Sequence, residues 1–327
     1  MNNQSSVSEF LLLEFSATWE LRILHFILFL ILYLTTVAGN ILIITAIVLD
    51  HHLHSPLYFF LLNLAIQDLG SVSVILPKYI ISAIKNDRRI SYSGCVAQVL
   101  FFVFFIGSDV ALLTVMAYDR YIAICNPLRY ETIMNRKACA QMALSAWFAT
   151  FLNAVLHTCG TFATTFCSNV VNQFFCEIPQ LLRLACTDSY QIEMGAVLVS
   201  IMVWFGCFIF IIVTYIQIFT AVSKIPSVHS LIPRPSTCIP HLTVVSMFSL
   251  TVCLAYLRPS SSTSSSLEIL ITVMYSVLPP MLNPLIYSLR NKEIKLALSR
   301  LLGIRSSCNN AFFLQHFRTQ CSKVESG

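Results

Sequence analysis

The sequence predicts an all-α membrane protein, a seven-transmembrane helix bundle, and three observations predict it. Of its 327 residues 57% are hydrophobic and 11% charged, with a mean hydropathy of +0.76, whereas a soluble domain carries about 25% charged residues. Seven apolar runs, each long enough to cross a hydrocarbon layer of about 30 Å, alternate with polar linkers. Lys and Arg, twenty in all, divide unevenly between the two sets of linkers. Nine glycines and twelve prolines exclude a fibrous chain. A net charge of +5 without a dense basic tract excludes a nucleic-acid partner.

The segment 1–22 is polar to mixed. Its Asn3-Gln4-Ser5 fits the N-glycosylation pattern, which has meaning only on the lumenal side. The first run, Ile23–Leu49, lacks a basic lead and a small-residue cleavage site, so it reads as an uncleaved anchor. It contains Gly39-Asn40. Pro56 opens a second run, Leu57–Ala83, with Asn63 and Asp68 at mid-depth. The third, Cys95–Cys125, has Asp109 in its middle and Asp119-Arg120 near its end. A basic connector, Arg129 to Lys137, leads to the fourth, Met142–Ala163. A long polar segment, Thr164–Gln191, precedes the fifth, Met194–Val222. A proline-containing linker precedes the sixth, Cys238–Leu257, and a serine-rich turn precedes the seventh, Leu267–Leu289.

Seven crossings put the two termini on opposite sides. Thirteen of the twenty Lys and Arg fall on the side of the C-terminus, which is therefore expected to be cytoplasmic, with Asn3 outside. The organisation that follows is an extracellular segment 1–22, a seven-span domain 23–289 and a cytoplasmic tail 290–327. In that tail Ile294, Leu298, Leu301 and Leu302 recur at helical spacing between Lys292, Lys295 and Arg300, predicting a short amphipathic helix on the inner membrane surface. Cys308 beyond it is a candidate for palmitoylation, with a free thiol as the plainer reading.

Topology sorts the chemistry. Cys95, Cys167, Cys176 and Cys186 all fall outside, in an oxidising compartment, where four cysteines allow three pairings. No close pair with ligand spacing supports zinc, so no metal centre of that kind is expected. Asp68 and Asp109 cannot both stay charged and unpaired in the bilayer. They share a proton, hold a cation such as sodium with help from Asn40 and Asn283, or bond separately. Pro284 frees a backbone carbonyl, and the expectation is a kink there with Asn283 bonding that carbonyl. His157 and His241 are lone histidines and read as structural. No G-x-S-x-G, H-E-x-x-H or phosphate loop appears, so no enzyme is expected.

These motifs together resemble the rhodopsin-like G-protein-coupled receptors and, more narrowly, the olfactory receptors. The narrow likeness rests on Pro56 to Leu61, Met116 to Tyr130, Ser236-Thr237-Cys238 with His241-Leu242, and Pro280 to Lys292, and spans about Glu9 to Leu302. It implies a receptor in the plasma membrane that binds a small odorant and activates a heterotrimeric stimulatory G-protein of the olfactory type, raising cyclic AMP. It implies Cys95–Cys176 and Cys167–Cys186 disulfides and a possible sodium ion at Asp68 and Asp109, with no other cofactor. Asp119, Arg120, Tyr121, Tyr215, Asn283, Pro284 and Tyr287 would form the G-protein switch. By helical offset the odorant pocket would be lined by Phe102, Phe105, Ile106, Val199, Met202, Val203, Thr251 and Tyr256. Pro233-Arg234-Pro235 departs from the family's Lys-Ala-Phe run at the start of the sixth helix, which would shorten that helix and weaken coupling. Ser249 stands where many relatives have tyrosine, and the tail after Leu302 is longer than usual. A seven-span transporter is the competing class, but no repeat relates the two halves.

Overall fold

The structure, a computed structural model, describes residues 7–13, 18–186, 191–223, 238–256 and 265–301. Each helix start carries its own local reason. Helix α1 (Trp19–Leu49) is followed by α2 (Pro56–Lys85), whose proline occupies the first helical position, where the missing N–H has no partner to lose. Asn86 ends α2 in the left-handed conformation, φ 53°. Ser91 caps α3 (Tyr92–Cys125) by accepting the Gly94 N–H at 3.1 Å. After the one-turn helix α4 (Tyr130–Ile133), Asn135 caps α5 (Arg136–Phe162) by accepting the Ala138 N–H at 2.9 Å. The outer loop contains α6 (Ile178–Leu182). Then come α7 (Gln191–Ser223), α8 (Cys238–Tyr256), α9 (Ser265–Ser276), α10 (Leu278–Arg290) and α11 (Lys292–Leu301).

Helices α1, α2, α3, α5 and α7 are each long and apolar enough to cross a membrane, and α9 with α10 forms a further span bent by 46°. Helix α8, with its apolar His241–Leu250 stretch, completes the predicted bundle. Side chains such as Leu24, Ile31 and Phe148 are exposed around the outside, as the lipid-facing surface of a membrane bundle should be. The interior has an inner core around Leu64, Leu112, Met116 and Tyr215, and an outer core around Val72, Ile75, Phe102, Phe174 and Phe175.

One expectation is corrected. The seventh span breaks at Val277, about two turns before the expected site, and α10 continues through Pro284. Adjacent prolines explain the shift. Pro279 and Pro280 remove two successive N–H donors, the ones that would bond the carbonyls of residues 275 and 276 four residues back, whereas Pro284 removes a single bond. The N-terminal segment, for which no element was predicted, adds a strand. Glu9–Leu12 forms strand β1, pairing antiparallel with β2 (Arg89–Ser91) and parallel with β3 (Val170–Val171). Phe10 is fully buried between Tyr92 and Phe166. The Cys95–Cys176 disulfide fastens the outer loop to the top of α3, and Cys167–Cys186 closes the loop on itself.

Because Phe10 fills a closed apolar site, Phe10→Ala should cost about 3–5 kcal/mol. The thermal midpoint of the purified protein should fall by several degrees, with Phe10→Leu recovering most of it. An unchanged midpoint would show that β1 is not part of the cooperative fold.

Candidate functional site

At mid-membrane three helices meet through polar side chains. Asp68 of α2 is buried, and the Asn283 amide nitrogen of α10 donates to both its oxygens at 3.1 Å. Asp109 of α3 is also buried. From α1, the Asn40 amide nitrogen donates to the Thr36 and Pro280 carbonyls, both at 3.0 Å. The Pro280 carbonyl is the one that Pro284, lacking an N–H, cannot bond within its own helix. Sequence reasoning assigned this repair to Asn283, but Asn283 lies about 100° around the helix from Pro284 and faces α2 instead. The approach of α1 needs a bare backbone: a Cβ on Gly39 would stand 3.2 Å from the Cβ of Pro284.

Several oxygens here are buried without a protein hydrogen bond among the described residues: Asp109 Oδ1, Asn40 Oδ1, Asn283 Oδ1 and the Tyr287 hydroxyl. An all-oxygen set of this kind suits a hard monovalent cation. No group of three or more His, Cys, Asp or Glu suitable for a metal ion occurs among the described residues.

At the inner end Asp119 Oδ1 accepts from the Tyr130 hydroxyl at 2.8 Å. Its neighbour Arg120 is half-buried, and Tyr121 packs against the inner core. The Tyr215 hydroxyl meets His241 Nδ1 at 2.8 Å, joining α7 to α8. Helix α11 docks through Tyr58, which hydrogen-bonds Asn291 and Glu293, and through the Arg300–Asp50 ion pair at 2.9 Å. The His52 N–H and then the Arg300 guanidinium hold the Asp50 carboxyl below its ordinary range. Pro233, Pro235, Leu302 and Cys308 lie outside the described residues, as does Asn3.

The expected pocket lining divides. Phe102 is buried against Phe175 of the outer loop and Tyr275 of α9, facing the bundle interior. Phe105 instead fills the space over Gly70 of α2, where a Cβ would overlap its ring, and Ile106 packs against the outer core. Val199, Met202 and Val203 are 60, 74 and 61% exposed, so they do not line an enclosed pocket. Helix α7 is apolar on every side, and hydrophobic periodicity therefore cannot set its rotation. The residues it turns toward α3 and α8 are Trp204, Phe208 and Ile211, which meet Val110, Phe248 and Ser249 around a cavity of about 10 Å³. That space is the size of one water. The side chains of Thr251 and Tyr256 lie outside the described residues.

Sequence reasoning missed the outer lid. Phe174 and Phe175 are fully buried, Phe174 against Phe29 and Tyr79. Gln173 donates to the Thr272 hydroxyl at 2.7 Å, and the Tyr275 hydroxyl donates to Glu177. Gln98 of α3 accepts the Cys176 N–H at 2.8 Å and donates to the Val74 carbonyl. The available signal was an aromatic pair set beside a cysteine in a polar loop. His157 also has partners, Glu193 at 2.6 Å and Ser200 at 2.8 Å, which fasten α5 to α7.

Comparisons with known proteins agree with this architecture. Residues 39–287 match the 7 transmembrane receptor (rhodopsin family) model. The chain is 48% identical over 303 residues to human (Homo sapiens) Olfactory receptor 14A16, covering 92% of this chain and 98% of that one. It is 47% identical to human Olfactory receptor 14I1 and 44% identical to rat (Rattus norvegicus) Olfactory receptor 1500, in both cases over 92% of this chain and 97% of the relative. The crystal structure of squid rhodopsin superimposes with a TM-score of 0.69 at 16% identity, over 90% of this chain and 88% of that one, a likeness of fold.

Removing the Asn40 amide should leave the Pro280 carbonyl unpaired at a cost of about 1–3 kcal/mol. Thermal unfolding should therefore report Asn40→Ala as destabilised, with Pro284→Ala in the same background recovering part of the loss by restoring an N–H. An absent rescue would break the link between Asn40 and the proline.

Proposed function

The chain belongs to the rhodopsin family of seven-transmembrane receptors and, within it, to the olfactory receptors, and from that premise we propose how it signals. Membership makes it a multi-pass plasma-membrane receptor for odorants that acts through a G-protein, and not an enzyme. The finer reading is that a small volatile ligand binds beneath the outer loop, among Phe102, Phe175 and Tyr275, and shifts the bundle toward a state that activates a stimulatory, olfactory-type G-protein and raises cyclic AMP. The N-terminus faces outward and the tail inward. Arg120, with Asp119, Tyr121, Tyr215, Asn283, Pro284 and Tyr287, forms the inner switch.

The observation that carries this reading is the joint between α2 and α10. Asn283 holds Asp68 midway between an outer lid bonded to α9 and an inner face containing Asp119 and Arg120. A ligand shifts such an equilibrium only by its differential affinity for the two states, and the aromatic contacts under the lid are where that difference arises. We also propose that Asp68 and Asp109 hold a sodium ion, supported by the unpartnered oxygens around them.

Arg120→Ala should abolish odorant-evoked cyclic AMP across an odorant panel while surface expression stays normal; a persistent response would remove Arg120 from the switch. For the ion, replacing sodium by choline chloride should lower the thermal midpoint of the purified receptor but leave Asp109→Asn unchanged. Equal sodium dependence in both proteins would exclude the site.

A further inference from the structure

Basic side chains gather at the end of the bundle that carries the two disulfides, the end that the overall charge bias leaves poorer in cations. Arg22 stands in the first turn of α1, and Lys85, Arg88 and Arg89 cluster where α2 ends. A cleft of about 30 Å³ lies among them, lined by Leu12 and Leu13 at the end of β1 and by Arg22, Ser82, Asn86 and Arg88. None of its lining residues is acidic.

Two polar atoms of this lining are buried without a hydrogen-bond partner among the described residues, Arg22 Nε and Ser82 Oγ. A serine in a helix can bond back to a carbonyl of the preceding turn, and Ser82 does not. Arg22 is otherwise held in place: a guanidinium nitrogen donates to the Asn86 side-chain oxygen, and the guanidinium carbon lies 5.5 Å from the centre of the Trp19 ring. Neither contact supplies a formal negative charge. Of the acids nearby, Glu20 is exposed and Asp87 is bonded to Arg89 at 3.0 Å. A buried N–H needs an acceptor, and a partly buried cation needs a counter-charge. Water would meet the first need only. The cleft has room for about two waters, which admits one monatomic anion and excludes a larger one such as sulfate or gluconate.

We propose that this cleft binds a single chloride ion, with the Arg22 Nε–H and the Ser82 hydroxyl as its donors and the Arg88 charge beside it. The ion ties the first turn of α1 to the end of α2 and to β1, which in turn pairs with the outer loop. Chloride is present on both faces of a membrane, so the site does not depend on the orientation proposed above.

The test uses the full purified receptor at constant sodium, which leaves the surroundings of Asp68 unchanged. Chlorine-35 NMR needs no variant: the receptor should broaden the chloride line, and bromide should reverse the broadening whereas gluconate should not. The thermal midpoint should rise saturably as chloride replaces gluconate. Sulfate stabilises folded proteins in general, yet here it should do less than chloride. Arg22→Gln should remove the chloride dependence. Ser82→Ala, which keeps the charge, should raise the half-saturating chloride concentration about tenfold. The proposal is overturned by an unbroadened chloride line, by equal midpoints in chloride and gluconate, by greater stabilisation in sulfate than in chloride, or by unaltered chloride dependence in either variant. A dependence that appears only in Glu14→Gln would also overturn it, by making that carboxylate, next to Leu13 in sequence, the counter-ion of Arg22.

Discussion

A backbone carbonyl inside a bilayer has no water to turn to, and much of this structure follows from one carbonyl that its own helix cannot satisfy. Pro284 leaves the Pro280 carbonyl without a helical partner, and Asn40 supplies the missing donor from a different helix. That bond requires α1 to approach closely, which Gly39 permits. With the carbonyl answered from α1, Asn283 is available to α2 and holds Asp68. The first, second and seventh spans are thus joined by amide groups, and Tyr287 follows one turn below Asn283 toward the inner face.

The bent seventh span is clamped on both sides of its break. Above Val277, α9 is bonded to the outer loop through Thr272 and Tyr275; below it, α10 is bonded to α1 and α2 through the Pro280 carbonyl and Asn283. The loop itself is fixed to α3 by a disulfide and by Gln98, and its free side is covered by the N-terminal strand. The inner face has a similar economy of contacts: α11 rests on Tyr58 and Asp50, the two places where the first inner linker meets the bundle.

The spans were legible because a segment crossing lipid must be apolar along its whole length, and composition alone shows that. The polar residues that matter were legible for the converse reason: Asn40, Asp68, Asp109 and Asn283 stand out in apolar runs. What each one bonds was less so. Helix α7 is apolar all round, and nothing in its pattern distinguished exposed Val199 and Met202 from inward-facing Trp204 and Phe208. Three prolines in one run do not say which will break the helix, because the outcome depends on whether the orphaned carbonyls find donors elsewhere. Strand β1 has four residues and exists through β2 and β3, partners that are about 80 and 160 residues away in the chain. The aromatic lid had the same difficulty, since burial of Phe174 and Phe175 is decided by helices distant in sequence.

If the joint between α2 and α10 transmits the signal, its hydrogen bond should matter more than the identity of either residue. The direct measurement exchanges the pair. Asp68→Asn and Asn283→Asp should each reduce odorant-evoked cyclic AMP at matched surface expression, and the two together, which restore an amide facing a carboxylate, should recover most of the response. Additive losses in the exchanged receptor, or single variants that signal normally, would contradict the account.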